Sequence, residues 1–146
     1  MFDEVQTGLG RIGDWTAAAM YGVDPDVIAL GKALGGGLPL SAFGAAPKVM
    51  AALGVGGHGS TFGGSPLACA TGLAALNVAE REGLPTRAAL LGERAKWRLG
   101  SLVRRYGHLG EVRGAGLMLG LSVIEPGTGR PRGDLARNGK EALTTT

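Results

Sequence analysis

The residue best suited to covalent chemistry is Lys32, in the stretch VIALGKALGGGLPL (27–40), where an apolar run ends in a lysine and a triple glycine follows. An amine partly shielded from water loses proton affinity and becomes a usable nucleophile, most simply toward an aldehyde. Glycines just behind it let the backbone turn tightly and leave room beside the amine for something flat or bulky. A solvent-reaching lysine on a turn is the plainer reading, and this segment alone favours it.

Two other glycine patterns bear on nucleotide chemistry. GLGRIG (8–13) has the G-x-G-x-x-G spacing of a dinucleotide-binding turn, with Asp24 and Asp26 downstream. The first strand of such a fold is central and apolar, yet the residues before this turn include Asp3, Glu4 and Gln6, so the match is weak. Gly31-Lys32 lacks the glycine a nucleotide P-loop needs where Asp26 stands and the Ser or Thr it needs where Ala33 stands. Neither His58 nor His108 has ligand-spaced neighbours, so no metal site is expected. The single cysteine, Cys69, cannot form an internal disulfide and reads as a small packed residue in a reducing, cytoplasmic setting.

The elements that must position these residues follow from turn residues and periodicity. MFDEVQTG reads as the end of a strand with nothing to pair against. Asp14 is expected to cap a short helix over Trp15–Tyr21 that ends at Gly22. Val27–Leu30 is a short apolar strand, and Leu38–Ala42 is a candidate for another. Pro47 opens a helical turn or two, followed by a Gly/His/Ser loop over 55–64. Ser65-Pro66 then supplies an N-cap and a first-position proline for an alanine-rich helix ending at Gly83, expected to pack closely on both sides. From Thr86 to Tyr106, Leu91, Ala95, Leu99, Leu102 and Tyr106 recur at helical spacing. Val112–Gly116 is expected to bend, Leu117–Ile124 to form a strand, and 126–133 a polar loop. The alternation of helices and short apolar strands gives an α/β class, with a boundary near residue 84.

Composition narrows the classes further. With 146 residues and 45% hydrophobic content the chain can build one core, although 28 glycines is far above the usual share of about 7%. The net charge of +3 is scattered, with few aromatics beside it, so no nucleic-acid partner is expected. No apolar run approaches the roughly 18 residues of a membrane span, and no membrane partner is expected. The opening strand and the closing NGKEALTTT both read as the ends of a fragment.

Taken together, FDEVQTGLGRIG (2–13), PDVIALGKALGGGLPLSA (25–42), HGSTFGGSPLACATGLAAL (58–76) and GEVRGAGLMLG (110–120) resemble, in order, the class III pyridoxal-phosphate aminotransferases. That group includes ornithine, acetylornithine and 4-aminobutyrate aminotransferases, with dialkylglycine decarboxylase as a close relative. The resemblance implies a fold-type I, aspartate aminotransferase-like architecture: residues 1–84 from an incomplete large cofactor domain, and 85–146 from the start of a truncated small domain. It implies pyridoxal 5'-phosphate as cofactor, an amino donor and a 2-oxo acid as small-molecule partners, and a homodimer.

Residue by residue, the resemblance assigns Lys32 to the Schiff-base position and to proton transfer, and Asp3 to the cofactor's pyridine nitrogen. Val5 would pack on the ring face and Gln6 would bond near the phenolic oxygen. Ser60 and Thr61 would reach a partner subunit's cofactor phosphate. Arg113 would grip the substrate carboxylate through its guanidinium fork. The phosphate loop and the ring-stacking aromatic of the family belong to its N-terminal half, so the chain alone is expected to lack appreciable activity. A decarboxylating relative and a non-catalytic remnant acting as a binding module are the alternatives.

Overall fold

The structure is a computed structural model that describes residues 1–137; the closing segment NGKEALTTT, apart from its place in the sequence, lies outside the described residues. Its first half is a small mixed sheet. Strand β1 (Phe2–Asp3) pairs in parallel with β2 (Val27–Leu30), with Phe2 opposite Ile28 and Asp3 opposite Ala29. β2 in turn pairs antiparallel with β3 (Ala42–Ala45). The opening strand therefore has a partner, contrary to the sequence expectation. β3 also begins where Leu38–Ala42 was expected to end, because Pro39 has no N–H to give a ladder.

Between β1 and β2 lies a single turn of helix, α1 (Ala17–Met20). Its cap is Thr16, not Asp14: the Thr16 hydroxyl accepts from the Ala19 N–H at 3.0 Å, while the Asp14 carboxylate turns onto the Trp15 N–H. A 3₁₀ turn over Lys32–Gly35 follows β2. Helix α2 (Pro47–Met50) continues into a second 3₁₀ turn, as the proline predicts.

Two long helices supply the second layer. Helix α3 (Pro66–Arg81) starts at the Ser65 cap and α4 (Leu84–Arg105) follows after Gly83 in the left-handed conformation. Only one face of α3 is covered: Ala68, Gly72 and Ala79 are buried, whereas Leu67 is 68% and Leu73 62% exposed. Packing on both sides is thus not found, and Cys69 is exposed rather than packed. The buried ridge of α4 runs through Pro85, Ala88 and Gly92, with Leu91 and Leu102 on its exposed flanks. Small residues win the buried positions because neighbouring backbone comes close. A side chain at Gly92 would meet the Gly116 carbonyl, and one at Gly13 would stand 2.9 Å from the Ala89 Cβ.

The chain then forms a hairpin, β4 (Leu109–Ala115) with β5 (Met118–Val123). The segment 112–116, expected to bend, is mostly strand; the reversal falls on Gly116 and Leu117. Here the Leu117 N–H donates to the Arg11 carbonyl at 2.9 Å, tying the hairpin to the glycine turn at 8–13. Among the described residues no helix is long and apolar enough to cross a membrane.

Candidate functional site

Strand β2 runs into Gly31, and the chain then turns sharply, with Lys32 at a φ of +40°. Only two described non-glycine residues have positive φ, Lys32 and Leu9, and both line one cleft. Such conformations cost of the order of 1–3 kcal/mol and persist where surrounding structure imposes them, often at functional sites. The cleft has a volume of about 690 Å³ and opens between the glycine turn, the first turns of α4 and the hairpin. That lies within the range of roughly 300–1,000 Å³ typical of small-molecule sites.

On this cleft the Lys32 Nζ donates to the Gln6 Oε1 at 2.9 Å, across 26 residues of sequence. No described carboxylate pairs with it. Among the described residues its hydrogen-bond partner is thus neutral. The lysine is exposed, as the plainer reading of its segment has it, and the fold does not shield the amine from water. Val5 lines the same cleft and crowds Gly31: a Cβ there would stand 3.3 Å from the Val5 Cγ1. Asp3 is exposed beside it, its Oδ1 accepting from the Val5 N–H at 3.1 Å. Arg11 and Arg87 also line the cleft, and sequence reasoning singled out neither. These side chains fit a small anionic aldehyde: a lysine for the carbonyl carbon, apolar walls, and two cations on the rim.

The remaining sequence candidates stand elsewhere. Ser60 and Thr61 lie in the exposed glycine loop over 54–64, outside the Lys32 cleft. The loop makes an edge contact through His58, whose ring centroid is 5.0 Å from that of Phe43. Arg113 sits on β4 opposite Gly120 and lines a different, smaller cleft with Glu111 and Arg132. The fold therefore brings Lys32, Gln6 and Val5 together, sets Asp3 alongside, and leaves Ser60, Thr61 and Arg113 apart. Among the described residues no cluster of His, Cys, Asp and Glu could hold a metal ion.

The residue that sequence reasoning passed over is Glu4. It is 1% exposed and is the only large side chain among the described residues to be fully buried. Its carboxylate accepts from the Ala18 N–H at 2.9 Å and from the Thr7 hydroxyl. Burial pushes this carboxyl up, but the Thr7 hydroxyl and the Ala17 and Ala18 N–H groups outweigh both burial and the Asp3 charge, leaving it below the ordinary 4.5. Strand alternation could not reveal it, because Glu4 lies past the end of β1 and is buried by its contact with α1.

Comparison with known proteins places this geometry. Residues 1–142 match the family Aminotransferase class-III. Acetylornithine aminotransferase 1 of Bradyrhizobium diazoefficiens is 46% identical over 126 residues, covering 86% of this chain and 31% of that protein. Among solved structures, ornithine delta-aminotransferase of Plasmodium falciparum superposes with a TM-score of 0.78 at 47% identity, over 83% of this chain and 32% of that one. An amine transaminase from an uncultivated Pseudomonas species, solved with pyridoxal phosphate bound, gives a TM-score of 0.82 at 38% identity over 88% of this chain and 31% of that one. The chain spans about a third of the length of these relatives. The mixed sheet, long helices and hairpin form part of a fold-type I architecture. By sequence and by fold, the chain belongs to the class III aminotransferases, a family of pyridoxal-phosphate-dependent enzymes.

Proposed function

We propose that this chain carries the lysine-bearing part of a transaminase that moves an amino group from an amine or amino acid to a 2-oxo acid. The single observation that supports this most is the Lys32 amine, held by Gln6 over a cleft of small-molecule size. Pyridoxal phosphate, when bound, supplies the electron sink that lets a proton leave the substrate carbon. Lys32 would hold the cofactor covalently and carry the proton. Gln6 orients the lysine amine, and Val5 forms an apolar wall that keeps water from one side of the site. Asp3 would hold a proton on the pyridine nitrogen once its carboxylate turns from the Val5 N–H.

Residues 1–84 are read as large-domain and 85–146 as small-domain sequence, the division falling at the Gly83 reversal between α3 and α4. Ser60 and Thr61 suit a second subunit's phosphate, since they stand exposed and outside the chain's own lysine cleft. Arg113 is kept as the substrate-carboxylate candidate, a role that requires it to reach the Lys32 cleft from its present one. No aromatic side chain lines the Lys32 cleft, so nothing described here stacks on a cofactor ring, and the chain alone should show no appreciable turnover.

The test is a graft. This chain replaces the matching third of the Bradyrhizobium relative, and amino-group transfer is measured. The graft should be active and lose that activity on Lys32→Ala. Activity that survives Lys32→Ala would contradict the assignment, and Lys32-dependent turnover by the isolated chain would overturn its expected inactivity.

A further inference from the structure

Glu4 is bound on every side. Its N–H donates to the Ala29 carbonyl on β2 at 2.8 Å, and its carbonyl accepts from the Gly8 N–H at 3.0 Å. Its carboxylate reaches the first turn of α1 at Ala18 and the hydroxyl of Thr7. A carboxylate is costly to bury unless its oxygens are satisfied, so an apolar side chain would serve simple packing better. What the carboxylate provides is a fixed geometry: it pins the back of the segment whose front carries Asp3, Val5 and Gln6. We propose that Glu4 is a positioning residue for the Lys32 site, its buried carboxylate locking the 3–7 turn so that the Gln6 Oε1 stays on the Lys32 amine. The inference rests on the functional reading above for its importance, but its geometry does not depend on a cofactor.

The test is competitive labelling of the full chain with trace acetic anhydride, without cofactor, reading the acetylation rate of Lys32 relative to exposed Lys48. Gln6→Ala should raise this ratio roughly threefold, the low end of what one hydrogen bond contributes, because this one is open to water. Glu4→Leu, which keeps volume and removes the hydrogen bonds, should raise it as much. Glu4→Gln, which retains shape and an acceptor for Ala18, should leave it near that of the unsubstituted chain. The double variant Glu4→Leu/Gln6→Ala should show no more than Gln6→Ala alone, because both changes act through one contact. An unchanged ratio in Glu4→Leu, or additive effects in the double variant, overturns the proposal. Should circular dichroism show Glu4→Leu unfolded, Thr7→Val decides the matter: a raised ratio supports the proposal and an unchanged one overturns it. Failure of pyridoxal phosphate to react at Lys32 would count against the functional reading and leave this result standing.

Discussion

The 3–32 region and the 54–64 loop carry the same kind of candidates, polar side chains beside glycines, yet the fold treats them oppositely. Around Lys32 every backbone reversal is tied: β1 to β2, the 8–13 turn to the hairpin, and Glu4 to α1. Around Ser60 and Thr61 every residue from 51 to 64 is exposed, with Phe62 at 82%. One region is tied to distant parts of the chain; the hydrogen bonds of the other are short-range turns, and its hydroxyls and an aromatic side chain stand exposed. Preorganisation belongs to the first, and a surface that needs a counterpart belongs to the second.

This contrast can be broken by substitution. The largest effect is expected from Lys32→Ala, which should lower pyridoxal phosphate retained after gel filtration by at least about tenfold, since a covalent anchor is lost. Retention equal to that of the unsubstituted chain would move the cofactor site elsewhere. Gly72→Ala should come next. A Cβ there would stand 2.9 Å from the Leu34 carbonyl, in the turn that begins at Lys32, and 2.6 Å from the Leu40 side chain. Overpacking of this kind costs about 1–3 kcal/mol, against a helix-propensity gain of at most about 1 kcal/mol. The net loss should show as a lower urea midpoint, and a higher midpoint would mean α3 does not lean on that turn.

The acid limb sharpens the comparison further. The Glu4 carboxyl is lowered from 4.5, so its contribution to stability is present above that pH and is lost as pH falls through the depressed folded value. Glu4→Gln should flatten the fall in stability below pH 4.5, measured by urea unfolding at a series of pH values. An unaltered slope would show that other carboxylates govern acid unfolding. Smallest of all, Ser60→Ala and Thr61→Ala should each change stability by less than about 0.5 kcal/mol, as exposed substitutions do. A larger loss would show that the loop is bound within this chain after all.

Much of the framework could be read in advance where chemistry dictates backbone. Ser65-Pro66 announced the start of α3, and the apolar run at Val27–Leu30 announced β2. Of the hairpin, β5 was legible and β4 was misread as a bend, because a glycine-rich strand has no alternation to reveal its face. The α4 ridge was misplaced for a related cause: its buried line is made of Pro85, Ala88 and Gly92, residues that periodic hydrophobicity undervalues beside leucine. At the site, Lys32 and Gln6 were legible through resemblance, but their mutual contact spans 26 residues and depends on Glu4, whose burial shows only once α1 is in place.

The most direct test of the central assignment is to incubate the purified chain with pyridoxal phosphate, reduce it with borohydride and map the adducts by peptide mass spectrometry. Lys48 and Lys96 serve as internal controls, with Lys140, which lies outside the described residues, as a third. A dominant adduct on Lys32 is the predicted result and would show that the cleft between the glycine turn, α4 and the hairpin selects the cofactor. Adducts spread evenly over the lysines would contradict the account, since a cleft that selects the cofactor must favour the one lysine that lines it.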